Sequence, residues 1–399
     1  MIMSLNISTR GMNLTTTDST MQIREMDPKV YQRRANFAAF VAILRLITMK
    51  RRAKASKRKG FAVGSKTINC HNEKFEWADI DCGDPLTKCA TTISDSATTL
   101  AVTTGTGAMF TKNDLIYNRN TGETCRVTNV SGDNLTIVRG WGDSSAAAIT
   151  EDDVIILVSN AFSEGSGSPK ARAYSPREVY NYCQTFKRTV DASRRSLQTK
   201  YYGDINKMDT KKRFEWDQFL LERSRAYYIG ERNKITDSDG KPLTTTRGLD
   251  RFITQVYNKS SFTYNYFMEF AEMAYGYGGD EKLLVLNGAL ATLIQKEVMA
   301  NKISIEVSPR SKEFGVNIKR LSTIHGDMDF MIDMTMNQIY PDPTGFALEL
   351  GLVEEMVMEP DRWHENVQLK DIDGRKDLIL GDSGLKLISP ERHAKIVIA

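Results

Sequence analysis

Residues 93–160 change the character of the chain. Before and after them apolar residues recur at three- and four-residue steps. Within them short runs rich in Thr and Val are cut by Gly, Asn and Asp. A period of two belongs on a pleated strand, where every second side chain shares a face. The pattern predicts a small antiparallel β module with strands at 98–103, 114–118, 124–130, 134–139 and 154–159, and Ser131, Gly132 and Asp133 turn between the third and fourth. Gly165, Ser166, Gly167 and Ser168 then make a flexible exit.

The flanking patterns are helical. From Asp27, with Pro28 suited to a first turn, the residues Phe37, Phe40, Val41 and Leu44 fall on one stripe. After Gly60 and Gly64 the stretch 66–77 is extended, so the chain goes out and returns as a long hairpin-like loop. A second helix is predicted over 209–229, where Trp216, Phe219, Leu220, Arg223 and Tyr227 share a face and Gly230 supplies the stop. A third, at 262–275, carries Phe262, Tyr266, Phe270 and Met273. A strand at 282–286 leads to Asn287, which caps a helix with Leu290, Leu293, Ile294 and Val298 as its buried stripe. Strands follow at 303–307, 316–322 and 328–334, and 377–399 reads as short strand pairs around Gly381 and Gly384. The fold class is α+β.

At 399 residues there is room for two or three domains, and 41% hydrophobic with 26% charged residues is the balance of a soluble globular chain. The longest early apolar run, 37–44, is too short to span a bilayer and no small-residue cleavage site follows, so the expected compartment is a cytosol. Residues 1–26, rich in Ser, Thr, Asn and Met, read as an arm that orders against a partner. The formal charge of +4 is concentrated: removing Lys50, Arg51, Arg52, Lys54, Lys57, Arg58 and Lys59 of KRRAKASKRKG leaves 4 − 7 = −3. A tract of this density points to nucleic acid, an anionic surface or an acidic protein partner.

No catalytic or cofactor motif stands out. There is no Walker loop, no HExxH and no Gly-rich turn between a strand and a helix; EGSG at 164–167 and GYGG at 276–279 read as loops. The five cysteines form no CxxC pair. The order Cys70, His71, Cys82, Cys89 matches no usual zinc spacing, and free buried thiols are the reading taken for all five, with Cys125 and Cys183. His325 and His393 read as structural. Glu354 with Glu355, and Glu151, Asp152 and Asp153, read as solvated faces. The aromatic stretch YNKSSFTYNYFMEFAEMAYGY, 257–277, recurs at helical steps and reads as a packing face or subunit interface instead of a base-stacking platform. No enzyme activity, metal or cofactor is expected.

Taken in order, several stretches resemble the major capsid proteins of tailed bacteriophages, in a group with a β module inserted in the Hong Kong 97 phage capsid fold. They are FEW at 75–77, LIYNRNTGETCRVTNVSGDNLTIVRGWGDSSAAAI at 115–149, EGS at 164–166, NYCQTF at 181–186, YIGERN at 228–233, TRGLDRFI at 246–253 and FGVNIKRLSTIHGDMDFMIDMTM at 314–336. His325 stands where that group more usually has an aromatic residue. The resemblance covers about residues 30–395. It implies an N-terminal arm (1–26), a first helix and extended loop of a peripheral domain (27–92), the inserted β module (93–160), a peripheral domain with a spine helix (161–255), an axial domain (256–345) and C-terminal return strands (346–399).

The function so implied is a shell subunit that assembles with itself into hexamers and pentamers of an icosahedral capsid. That shell encloses double-stranded DNA without sequence-specific contact. It would be built in the bacterial host cytoplasm and kept in the virion, without membrane contact. No long heptad-bearing extension precedes the body, so a separate scaffolding protein is implied, with a portal and a decoration protein as further partners. In this architecture the tract Lys50–Lys59 lies on the extended loop over a neighbouring subunit and meets its acidic side chains. The competing readings are a nucleic-acid-binding protein with a basic arm and, more distantly, a hydrolase.

Overall fold

A computed structural model describes residues 40–42, 44–45, 68–79, 86–167, 176–199, 208–301, 306–307 and 318–399. The arm 1–26, the basic tract 50–59 and Cys82 lie outside these residues. The chain divides into two units: Ala78–Val179, and the described residues up to Trp77 together with Tyr180–Ala399.

Ala78–Val179 holds a six-stranded antiparallel sheet in the order Leu86–Lys88, Val154–Asn160, Asp114–Asn118, Thr124–Ser131, Asn134–Val138, Thr99–Ala101. A bridge between Cys89 and Val102 joins the two outer strands, so the sheet closes on itself and hides its edges. Alternate residues, among them Leu100, Ile116, Val127, Leu135, Ile137 and Ile155, point into one core. The strands expected from alternation stand within a residue or two of their predicted ends, and Gly132 turns at φ +59° as the hairpin requires. Leu86–Lys88 went unpredicted, since three residues are too few to display a period.

In the other unit a four-stranded sheet runs Ile68–Asn69, Val353–His364, Gly374–Leu387, Gln184–Ser193. The helix Met208–Ile229 packs on it, with Phe219 meeting Phe186 and Ile379 and flanked by Trp216 and Trp363. The expectation of short strand pairs around Gly381 and Gly384 is corrected. Both lie inside one 14-residue strand that pairs residue for residue with Gln184–Ser193. The glycines permit close approach without breaking the strand. A Cβ on Gly381 would stand 2.1 Å from Asp361 Oδ1, and one on Gly384 2.6 Å from the Tyr182 carbonyl oxygen.

The same unit contains a seven-stranded mixed sheet ordered Gln255–Lys259, Ala394–Ile398, Thr344–Leu348, Glu281–Leu286, Gly326–Ile332, Lys319–Thr323, Glu306–Val307. Helices Tyr264–Tyr275 and Gly288–Ala300 pack on it through Phe267, Phe270, Leu290, Ile294 and Val298. The aromatic run is thus core, although its buried face is Phe267, Phe270, Ala271 and Ala274, one step round from the stripe predicted. Asn287 caps as expected, its side chain accepting from Leu290 N at 2.9 Å. Met334, expected in a strand, opens the short helix Met334–Ile339, because Asp333 caps it by accepting from Thr335 N at 2.8 Å.

Candidate functional site

A buried polar constellation joins the described residues of the first helix to the long helix and the Val353–His364 strand. In that strand Val353, Glu355 and Val357 point inward and Glu354 points out to Lys386, 3.3 Å away on the facing strand. The solvated-face reading of Glu354 and Glu355 therefore fails for Glu355, which is 2% exposed. Its carboxylate accepts from Tyr227 Oη at 2.9 Å and from Arg45 Nε at 2.8 Å. Two register shifts in the strand, between Val357 and Glu359 and between Glu359 and Arg362, the second spanning Pro360, bring Asp361 to the same place. Asp361 accepts from Arg223 Nη1 and Nη2 at 2.9 and 2.6 Å, and from Arg45 Nη2 at 2.8 Å. The Arg223 guanidinium stands 4.7 Å from the centre of the Phe219 ring and 5.1 Å from that of Phe186, sealed from water.

Two guanidinium groups thus face two carboxylates, and the charge closes. Burial nevertheless pushes the Glu355 carboxyl up to about 7, against the opposing pull of Arg223 and the Tyr227 hydrogen bond. The next residue along the long helix holds the same segment at Phe40. Tyr228 Oη donates to Asp333 Oδ2 at 2.8 Å, the Phe40 N–H reaches the same oxygen at 3.3 Å, and the Phe40 and Tyr228 rings lie 5.1 Å apart. Phe40, Val41 and Leu44 are buried, so apolar packing and ion pairs hold this segment together.

Other polar clusters are structural. His393 is fully buried; its Nδ1 accepts from the Glu349 N–H and its Nε2 lies 3.2 Å from the Ile388 carbonyl. Burial holds its pKa down at about 3, so the ring is neutral. Lys282, also buried, donates to the carbonyls of Tyr277 and Arg392. His325 occupies the turn between paired strands. Asp153 corrects a second expectation: it is buried, not solvated, and accepts from Asn118 Nδ2 at 3.0 Å and from Thr150 N and Oγ1 at 3.0 and 2.8 Å. Burial would raise its pKa, but those bonds outweigh it and hold the carboxyl low. Cys70, Cys89, Cys125 and Cys183 are free and buried, and among the described residues no three His, Cys, Asp or Glu side chains gather as a metal site. Among the described residues no helix is long and apolar enough to cross a membrane.

The arrangement therefore binds segments of the chain to one another, and comparison with known proteins points the same way. Residues 44–399 match the family model of the SU10 major capsid protein. The chain belongs to that family. A curated major capsid protein of Pseudomonas phage PaMx41 is 35% identical over 156 residues, 38% of this chain and 36% of that one; the match spans about a third of the relative's length. Among solved structures, the capsid of a native GTA particle covers 98% of this chain and 100% of its own at 9% identity and a TM-score of 0.50. The capsid of Myoviridae phage XM1 covers 60% and 81% at 14% identity and a TM-score of 0.40. The fold is Hong Kong 97-like, as the resemblance implied.

For a capsid-family chain the network gains meaning from its position in the sequence. Arg45 stands five residues ahead of Lys50, where the basic tract begins. The tract residues Lys50, Arg51, Arg52, Lys54, Lys57, Arg58 and Lys59 lie outside the described residues. Sequence reasoning singled out that tract and missed Arg45, Glu355 and Asp361, which fasten the helix leading to it. The signal available was alternation in VEEMV, which sets Glu355 on the same face as two valines.

Proposed function

We propose that the chain is a shell subunit. It assembles with copies of itself into hexamers and pentamers of an icosahedral capsid that encloses double-stranded DNA and resides in the virion. The observation that carries this reading is the family match over 44–399, and a fold shared along 98% of the chain with a particle-forming capsid supports it. The helix Met208–Ile229 would be the spine of a peripheral domain and the seven-stranded sheet the core of an axial one. Function would then lie in interfaces, not in catalysis. Two exposed apolar sets suit that role: Ile235 opposite Leu243 on the hairpin Asn233–Thr236 and Pro242–Thr245, and Val367, Leu369 and Ile372 where Val353–His364 turns back to Gly374–Leu387.

The basic tract would meet acidic side chains of a neighbouring subunit, and the Ala78–Val179 module would decorate the shell or brace neighbours. Assembly would take place in the host cytoplasm with a separate scaffolding protein, a portal and a decoration protein. Electron microscopy of the expressed protein, with and without a scaffolding partner, tests the reading. Closed shells or ring-shaped capsomers are the expected result. A persistent monomer that binds DNA with a steep salt dependence would overturn it in favour of a nucleic-acid-binding protein with a basic arm.

A further inference from the structure

The module's stem contains two thiols that no role accounts for. The chain runs out to Ala78–Val179 along Lys74–Asp79 and back along Arg177–Tyr182, two strands that pair with each other. Cys70 and Cys183 stand at the root of this pair. The Cys183 N–H donates to the Glu73 carbonyl at 2.8 Å, and the Cys70 N–H donates to the Val357 carbonyl at 2.9 Å. The next residue, Met358, hydrogen-bonds the Cys183 sulfur through its backbone, so consecutive residues of one strand hold both cysteines. The Cys70 thiol donates to the Asn72 carbonyl at 2.9 Å, and the Cys183 thiol, also buried, lies beside it. Cys89 and Cys125 lie apart from them in the module's own core, bonded to the Thr91 carbonyl and to Glu123 Oε1.

We propose that Cys70 and Cys183 form a latent disulfide, reduced while the chain folds and closed when the particle meets an oxidising medium, that clamps the stem of the module. The change of medium rests on the virion reading; the pairing does not. Closure by a glutathione disulfide balances. One cysteine thiolate attacks a glutathione sulfur and releases one glutathione thiolate, and the second cysteine then displaces the other. Two S–H groups become one S–S bond, and one glutathione disulfide becomes two thiols. The site explains why the pair would stay open during assembly. Burial pushes the Cys183 thiol well above its ordinary range, so little thiolate forms until the stem opens. Once closed, the bond would span the whole module as a single loop between residues 70 and 183.

The test uses the full chain, incubated with oxidised glutathione and then denatured in the presence of an alkylating reagent and mapped by mass spectrometry. A linked pair of peptides containing Cys70 and Cys183, about 2 Da lighter than the reduced pair, is expected, with Cys89 and Cys125 alkylated. The linked peptides should vanish on reduction, be absent from Cys183→Ser, and form about tenfold faster per pH unit below the thiol pKa. Complete alkylation of both cysteines after prolonged oxidation, or linkage of Cys70 to another cysteine, overturns the proposal. The unmodified chain supplies the deciding measurement, so it stands even where Cys183→Ser folds poorly.

Discussion

Two buried groups titrate in opposite directions in the same pH range. Glu355 is lifted by burial from its ordinary 4.5 to about 7. The folded chain therefore holds a proton there that the unfolded chain has lost, and the associated stability drains as pH rises from about 4.5 to 7, at about 1.4 kcal/mol per unit. His393 is lowered by burial from 6.5 to about 3. Its folded form refuses a proton that the unfolded chain takes up, so its contribution is present above about 6.5 and is lost as pH falls toward 3. Between about 4.5 and 6.5 the two slopes cancel. Glu355→Gln removes one of them, so the variant should lose stability on acidification below pH 6.5 relative to the parent, by on the order of 3 kcal/mol over the range. Denaturant unfolding of both proteins at pH 5, 6 and 7 measures it; parallel profiles would refute the assignment. Neither group was legible beforehand, because a carboxylate pair and a lone histidine carry no mark of burial except the alternation of their neighbours.

At the scale of elements, legibility followed periodicity. The module strands and the helices Met208–Ile229, Tyr264–Tyr275 and Gly288–Ala300 declared themselves through period, cap and stop. The strand Gly374–Leu387 did not, because its two inner glycines are the local mark of a break, and only the neighbour pressing on them reveals their use. Gly384→Ala would drive a Cβ to 2.6 Å from the Tyr182 carbonyl and 2.8 Å from the Phe75 ring. Neither can retreat freely: Tyr182 ends the stem strand, and Phe75 is buried and stacks on Trp77. A loss of roughly 1–3 kcal/mol is expected for an overpacked site. Gly351→Ala, which meets nothing within 4 Å, should change stability by about 0.5 kcal/mol or less. Thermal unfolding of the two variants side by side separates a packing glycine from a permissive one, and equal melting temperatures would count against the account.

For the whole molecule, charge and sequence position argue together. Seven positive residues crowd into 50–59 of a chain that would otherwise carry −3, and the helix just ahead of them is fixed to the body through Arg45, Glu355 and Asp361. On the proposed reading the tract would meet acidic side chains of a neighbouring subunit. Single exposed pairs contribute only about 0.2–1 kcal/mol, yet several on one segment act together and a shell repeats the contact at every subunit. Changing Arg51, Arg52, Lys57 and Arg58 to Glu should leave folding of the body unchanged, since the fastening network is untouched, while blocking assembly of particles. Acid-to-base changes on the contacting neighbour should restore part of it. Raising the salt to 1 M, where the Debye length falls to about 3 Å, should weaken assembly of the parent protein in the same sense. Particle yield by sedimentation and electron microscopy reads both effects. A reversed variant that assembles normally but fails to retain packaged DNA would move the tract from the subunit interface to the genome.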